Sequence, residues 1–194
     1  SADTLPTGRR DFNADLANAQ AAKSVGTHAD DAAFWLYSSG STGAPKGTVH
    51  THANAYWTDV LYAKNVLQLT PGDVCFAAAK LFFAYGLRNV LTFAQSAGAT
   101  TLLLANRPTT QATCRRLAQA RPTVFFAVQT AHAGMRGARG TPPRRAIQGR
   151  VCVSAGEALP RDIGERYTAH FHCEILDGIG STEMLHIFLS NRAG

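Results

Sequence analysis

The sequence predicts an α/β fold, a mostly parallel sheet flanked by helices, and three observations carry that expectation. From Phe34 onward, short apolar runs alternate with stretches of helical periodicity, the pattern of strands joined by crossover helices. The helical stretches carry single apolar stripes, as in Leu87, Val90, Leu91 and Ala94, which fall at i, i+3, i+4 and i+7. The chain of 194 residues is 45% hydrophobic and 16% charged, enough apolar material for a sizeable core and too little charge for a disordered segment.

In chain order, residues 1–31 mix Gly, Asp, Asn, Thr and Ala and read as a surface segment with a short helix from Phe12 to Lys23. Phe34 to Tyr37 is strand-like, and Asn54 to Leu67 reads as a helix with Tyr56, Val60, Ala63 and Leu67 on one stripe. Thr70 to Asp73 is a turn before a strand at Val74 to Ala78. The helix bearing Leu87 to Ala94 follows, then a strand at Thr100 to Leu104. Pro108 opens a helix through Ala120, Pro122 follows it, and Val124 to Val128 is the next strand. The remaining elements are a strand at Val151 to Ser154, a helix from Pro160 to Phe171 bearing Ile163, Tyr167 and Phe171, and a strand at Glu174 to Leu176.

Composition excludes several classes. No apolar run approaches the roughly eighteen residues of a membrane span, and no basic-then-apolar leader is visible. Cys75, Cys114, Cys152 and Cys173 lack short metal-type spacing and fit a reduced, cytoplasmic protein. The net charge of +6 is concentrated in Arg136, Arg139, Arg144, Arg145 and Arg150, within a Gly- and Pro-bearing loop without interleaved aromatics, which argues against nucleic acid. His50 with His52, and His170 with His172, have one-residue spacings that could suggest a metal but read as surface histidines.

In an open parallel sheet, ligands bind beyond the carboxyl ends of the strands. The polar loops expected there are Ser38 to Gly47, Lys80 to Gly86, Ser154 to Leu159 and Asp177 to Glu183. The first, Ser38-Ser39-Gly40-Ser41-Thr42-Gly43-Ala44-Pro45-Lys46-Gly47, combines glycines, hydroxyls and a lysine, so its N–H groups and side chains can cradle phosphate. Lys46 precedes the last glycine and follows a proline, so this is not the loop that leads straight into a helix in nucleotide hydrolases. Asp177-Gly178-Ile179-Gly180-Ser181-Thr182-Glu183 offers close backbone approach, a hydroxyl for a phosphate oxygen and a carboxylate suited to Mg²⁺; Ser181 could equally cap a helix.

Ser-Ser-Gly-Ser-Thr-Gly-x-Pro-Lys-Gly resembles the first signature of the adenylate-forming superfamily, and Gly180-Ser181-Thr182-Glu183, about 140 residues later, resembles its threonine–glutamate signature. Such enzymes activate a carboxylate with ATP and most pass the acyl group to a thiol, and the resemblance implies that this chain is an internal fragment of their large amino-terminal domain. Ser38, Ser39, Gly40, Ser41, Thr42, Gly43 and Lys46 would then hold the leaving pyrophosphate, Thr182 the α-phosphate and Glu183 the Mg²⁺, so that Thr182, Glu183 and Lys46 are the expected catalytic residues. Gly156, Glu157 and Ala158 resemble the segment along the adenine, although Glu157 could instead be a first-turn acid favoured by a helix dipole. Asp177, Gly178 and Ile179 complete the expected nucleotide wall, with Ile179 where many members carry an aromatic residue.

Within the superfamily, the stretches Phe34 to Ser39, Lys80 to Leu87, Ser154 to Pro160 and Ile175 to Phe188 are similar to benzoate-CoA ligases. That similarity implies an aryl pocket lined by Ala84, Tyr85, Gly180, His186 and Ile187, with Ala84 and Gly180 leaving room for a flat ring and His186 offering a polar edge. The expected reaction joins benzoate, ATP and CoA. The alternatives are a 4-hydroxybenzoate or aminobenzoate ligase, or a non-catalytic nucleotide-binding remnant. On this reading residues 1–31 are a surface segment, 32–194 part of an AMP-binding domain, and the carboxy-terminal lid with its lysine is absent, so the polypeptide alone should turn over little or not at all. Small aromatic carboxylates and CoA are the expected partners, with no nucleic acid and no membrane; whether the full-length enzyme pairs as a homodimer is left open. The chain departs from its relatives at Val128-Gln129-Thr130-Ala131-His132, where they carry a Val-Pro-Thr-x-Tyr segment.

Overall fold

A computed structural model describes residues 8–39, 43–129, 131, 134–135 and 149–194. Residues 8–31 are exposed throughout and contain one short helix, α1 (Phe12–Asn18), capped by the Asp11 carboxylate and burying nothing. With no apolar stripe to dock, the helix stops well before Lys23.

A six-stranded sheet forms the centre. Its strands are β3 (Val74–Ala77), β4 (Thr100–Leu102), β5 (Val124–Ala127), β6 (Val151–Ala155), β7 (Ile175–Gly180) and β8 (Ile187–Ser190), in the order β4-β3-β5-β6-β7-β8. The first five in that order run parallel, and β8 closes the edge antiparallel to β7. Strand alternation divides the core into two layers. On one face Cys75, Phe126, Val153 and Leu176 pack against α2 (52–64) and α3 (84–97) through Tyr62, Val90 and Phe93, with Leu67 joining from the turn after α2. On the other, Phe76, Phe125 and Cys152 meet α4 (Thr110–Ala120) and α5 (Arg161–Phe171) through Cys114, Leu117, Tyr167 and Phe171. The expected α/β architecture is therefore present, as a mixed sheet between two helical layers.

Two strands depart from the sequence reading. Phe34 to Tyr37 lies within β1 (Ala32–Ser38), which does not join the parallel sheet but forms an antiparallel hairpin with β2 (Lys46–Thr51). The alternation of β2 is hidden because its fully buried residue is His50 and Val49 is exposed. The last strand also runs on to Gly180, so Asp177 to Gly180 is paired backbone rather than loop; Gly178 pairs with both Ala155 and Ser190.

The helical phases shift as well. Helix α2 changes at Asp59–Lys64, and α3 at Leu87–Thr92, to the wider i→i+5 turn, which rotates the buried face relative to a 3.6-residue repeat. Tyr62 rather than Tyr56 is buried on α2. On α3 the buried set is Arg88, Asn89, Val90, Phe93 and Ala94, while Leu87 and Leu91 are only half-buried.

The amino ends of three parallel strands are tied by Asp73. Its carboxylate accepts from Thr70 N (2.8 Å), Thr123 Oγ1 (2.7 Å) and Arg150 Nη2 (3.2 Å), and Arg150 Nη1 reaches Leu67 O at 2.6 Å. Arg150 is thus a structural cation, while the Arg136 to Arg145 part of the expected basic loop lies outside the described residues. All four cysteines are buried and free, and among the described residues no helix is long and apolar enough to cross a membrane.

Candidate active site

A pocket of about 230 Å³ opens beyond the carboxyl ends of β5, β6 and β7. All five residues expected to line an aryl site, Ala84, Tyr85, Gly180, His186 and Ile187, lie on its wall, together with Gly156 and Thr182. Elements 70 to 100 residues apart in sequence thus converge on one concavity, as the crevice rule for parallel sheets requires.

Ala84 and Tyr85 are set by the first turn of α3. A Cβ at Gly86 would lie 2.1 Å from Lys80 O, so only glycine lets the chain fold back over the preceding loop. Lys80 Nζ secures that loop by donating to Leu104 O (2.8 Å), Ala105 O (2.9 Å) and Asn106 O (2.7 Å). The Tyr85 hydroxyl donates to Val153 O at 3.1 Å, and burial pushes its pKa well above the ordinary tyrosine value. With its hydroxyl committed to the backbone of β6, Tyr85 contributes its ring to the pocket.

Gly180 has a different reason from the one its neighbours suggested. A Cβ there would sit 2.8 Å from His186 O and 3.0 Å from the His186 carbonyl carbon, so the glycine serves the close crossing of β7 over the entry to β8. That crossing places His186. Its ring is surrounded by Phe93 (4.6 Å between centroids), Tyr62 (4.8 Å) and a nearly parallel Tyr85 (5.9 Å, 11°). Nε2 lies 2.8 Å from the side-chain oxygen of Asn89, and Nδ1 is buried without a partner among the described residues. Burial, reinforced by the Arg88 guanidinium, pushes the imidazole down to about 3, so it is neutral at physiological pH. Both ring nitrogens are therefore withdrawn, and the polar edge expected of His186 does not face solvent.

Sequence reasoning missed the residues behind this wall. Arg88 is fully buried, pairs with Asp59 at 2.6 Å, donates to Ala55 O at 2.6 Å and to Thr58 Oγ1, and lies 4.9 Å over the Phe93 ring. Burial raises the Asp59 pKa and lowers that of Arg88, and each charge pulls the other back. The available signal was the Arg-Asn pair in the middle of an apolar helix, a polar interruption that needs partners if it is buried.

In the segment expected to cradle phosphate, Ser38 and Lys46 are register partners at the mouth of the β1–β2 hairpin, so the expected loop joins these two strands. Ser39 and Gly43 are described, the latter at φ +80°; Gly40, Ser41 and Thr42 lie outside the described residues. His50, expected at the surface, is instead fully buried against the Phe34 ring at 5.3 Å, because it forms the inward face of the hairpin. Burial lowers its pKa and Arg88 adds to this, while the Thr182 backbone and the Glu183 carboxylate act in the opposite sense. The hairpin thus adjoins the turn bearing Thr182 and Glu183. Ser181 Oγ accepts from Met184 N (3.1 Å), so it caps a turn; no helix follows.

Glu157 is exposed and precedes α5, whose first-turn acid is Asp162, which removes the helix-dipole reading of Glu157. Gly156 has φ +97°, and Ala158 is exposed beside it. The Asp177 carboxylate accepts from Leu159 N at 3.3 Å, tying this loop to β7, and Ile179 presents 60% of its surface. Glu183 is exposed, and no three His, Cys, Asp or Glu side chains among the described residues cluster around a metal site. A single carboxylate suits Mg²⁺, which retains waters and takes most of its remaining ligands from phosphates.

The family model for the AMP-binding enzyme matches residues 2–193. The chain is 56% identical over 168 residues to a benzoate–CoA ligase of Thauera aromatica, covering 87% of this chain and 32% of that protein. It is 44% identical over 172 residues to a 4-hydroxybenzoate–CoA/benzoate–CoA ligase of Rhodopseudomonas palustris, covering 85% of this chain and 31% of that protein. Among solved structures, a benzoate CoA ligase from Burkholderia xenovorans LB400 superposes with a TM-score of 0.84 at 63% identity, over 90% of this chain and 35% of that one. An anthranilate CoA ligase in complex with anthranoyl-AMP gives 0.90 at 33% identity, over 99% and 38%. The chain spans about a third of the length of these relatives. With a family match along nearly its whole length and an α/β crevice of the corresponding form, the chain belongs to the AMP-binding enzymes, the adenylate-forming family.

Proposed function

We propose that this chain carries the nucleotide and aryl-acid crevice of a benzoate–CoA ligase. The observation that supports it is the single pocket shared by Ala84, Tyr85, Gly180, His186 and Ile187 with Thr182, in a chain 56% identical to a benzoate–CoA ligase. The pocket's volume of about 230 Å³ and its Tyr85 and Ile187 walls suit one aromatic ring.

In the reaction, a benzoate oxygen attacks the α-phosphorus of ATP, pyrophosphate leaves, and the thiol of CoA then displaces AMP from benzoyl-adenylate. The ring wall fixes the carboxylate beside Thr182, whose hydroxyl donates to an α-phosphate oxygen. Lys46 and the hairpin loop, Ser38 through Gly43, neutralise the departing pyrophosphate. Gly156, Glu157, Ala158, Asp177, Gly178 and Ile179 form the nucleotide wall. Glu183 would hold Mg²⁺, which would supply neutralisation of phosphate charge when bound. Positioning and charge compensation dominate such a step. Residues 32–194 act as part of the AMP-binding domain, with 1–31 as a surface segment, in a cytoplasmic enzyme of aromatic-acid metabolism.

The test is AMP release by the product of the complete reading frame, supplied with benzoate, ATP, Mg²⁺ and CoA. Benzoate-dependent release that falls by roughly a hundredfold in Glu183→Gln is the expected result. ATP binding without AMP release from any aryl acid would instead favour a nucleotide-binding remnant.

A further inference from the structure

The aryl pocket contains a histidine whose nitrogens it does not use. Nε2 of His186 is 2.8 Å from Asn89 Oδ1 in a fully buried contact, and Nδ1 has no partner among the described residues and no solvent access. Asn89 is itself wholly buried and His186 only 4% exposed. With the Asn89 amide turned so that its oxygen faces Nε2, that oxygen can only accept, so Nε2 carries the proton and donates it; among the described residues this leaves Nδ1 as an acceptor and the buried Asn89 amide nitrogen as a donor, each without a partner. Three aromatic rings fix the plane of the imidazole, and Asn89 fixes its tautomer and its rotation.

A free imidazole in an aryl pocket would greet a ring hydroxyl or amino group with a hydrogen bond. A sequestered one offers no such partner, and a polar substituent buried against it loses its water without compensation. We propose that Asn89 is a specificity-determining positioning residue: by holding the His186 Nε2–H, it makes this wall of the pocket non-hydrogen-bonding and so favours aryl carboxylates unsubstituted at the ring position facing His186. This rests on the aryl-acid reading of the pocket and names the substrate class within it. Asn89 acts through His186 and touches no reacting atom.

The experiment compares kcat/KM for benzoate with that for the 3- and 4-hydroxy and amino derivatives in the complete enzyme. Asn89→Leu, which cannot accept, should lower the preference for benzoate over the better of these derivatives roughly tenfold, chiefly through KM. Asn89→Asp, which still accepts from Nε2, should restore most of the preference. In a His186→Ala background, Asn89→Leu should have no further effect on the ratio, since the residue it acts through is gone. An unchanged ratio in folded Asn89→Leu, or an equal effect with and without His186, overturns the proposal. Imidazole ¹⁵N spectra of the wild-type protein provide an arm that needs neither turnover nor a folded variant. A neutral Nε2–H tautomer is expected, and an Nδ1–H tautomer or an imidazolium near neutral pH overturns the proposal. If no aryl acid releases AMP, the ligase reading fails by itself while the spectra still decide how Asn89 holds His186.

Discussion

Arg88 and Asp59 meet at 2.6 Å behind the wall of the pocket, with the arginine side chain wholly excluded from solvent. Removing the carboxylate would leave a buried cation without its counter-charge, in contact with Ala55 O, Thr58 Oγ1 and the Phe93 ring. Asp59→Ala should therefore destabilise the fold by about 3–5 kcal/mol, whereas replacing both residues with apolar ones of similar volume should cost far less. Urea unfolding of the single and double variants measures the difference.

The Asp73 cluster predicts a pH effect with a definite sign. Burial raises the Asp73 pKa, but hydrogen bonds from Thr123, Thr70 and Arg150 outweigh it and leave the folded value below the ordinary carboxylate value. A depressed folded pKa stabilises the protein above the unfolded value of about 4, and that contribution disappears as pH falls through the folded value. Thermal melts between neutral pH and pH 2 should lose stability at the acid end. In Asp73→Asn the neutral-pH melting temperature should fall while the acid loss shrinks.

Gly180→Ala tests the crossing of β7 over the entry to β8. Its methyl would press on the His186 carbonyl at 2.8 Å, a backbone atom that cannot swing aside. The expected cost is about 1–3 kcal/mol from overpacking, and the displacement of His186 should raise KM for the aryl acid more than KM for ATP. Equal changes in the two would indicate a general loosening of the domain.

Tyr85→Phe removes the hydroxyl that reaches Val153 O while keeping the ring on the pocket wall. Leaving that buried carbonyl short of a donor should cost about 1–3 kcal/mol of stability, with little change in KM for benzoate. Calorimetry and steady-state kinetics on the same preparation separate the two effects.

Much of this was legible in the sequence. The parallel strands showed as short apolar runs because both of their faces are buried, and three of the four expected loops, Lys80 to Gly86, Ser154 to Leu159 and Asp177 to Glu183, contribute to the pocket wall, while Ser38 to Gly47 belongs to a hairpin outside the parallel sheet. The second hairpin strand was hidden because its buried residue is His50, a polar side chain where alternation demands an apolar one. Arg88 and Asn89 escaped notice for a geometric reason: the wide turn at Leu87–Thr92 shifts the helix phase and carries them from a nominally polar face into the core. Gly180 was found for its position, but the atom it makes room for is a main-chain carbonyl, which no side-chain pattern reports.

The distribution of the four buried thiols turns the protein into its own opening clock. Cys75 lies in the layer beneath α2 and α3, while Cys114, Cys152 and Cys173 lie in the layer beneath α4 and α5. Burial pushes the Cys75 thiol up to about 12, so a soluble thiol reagent reaches it only in molecules whose layer has parted. Mass-resolved labelling would then time each layer separately, one tag for the first and up to three for the second, and would show whether the two halves of the sheet breathe together or apart.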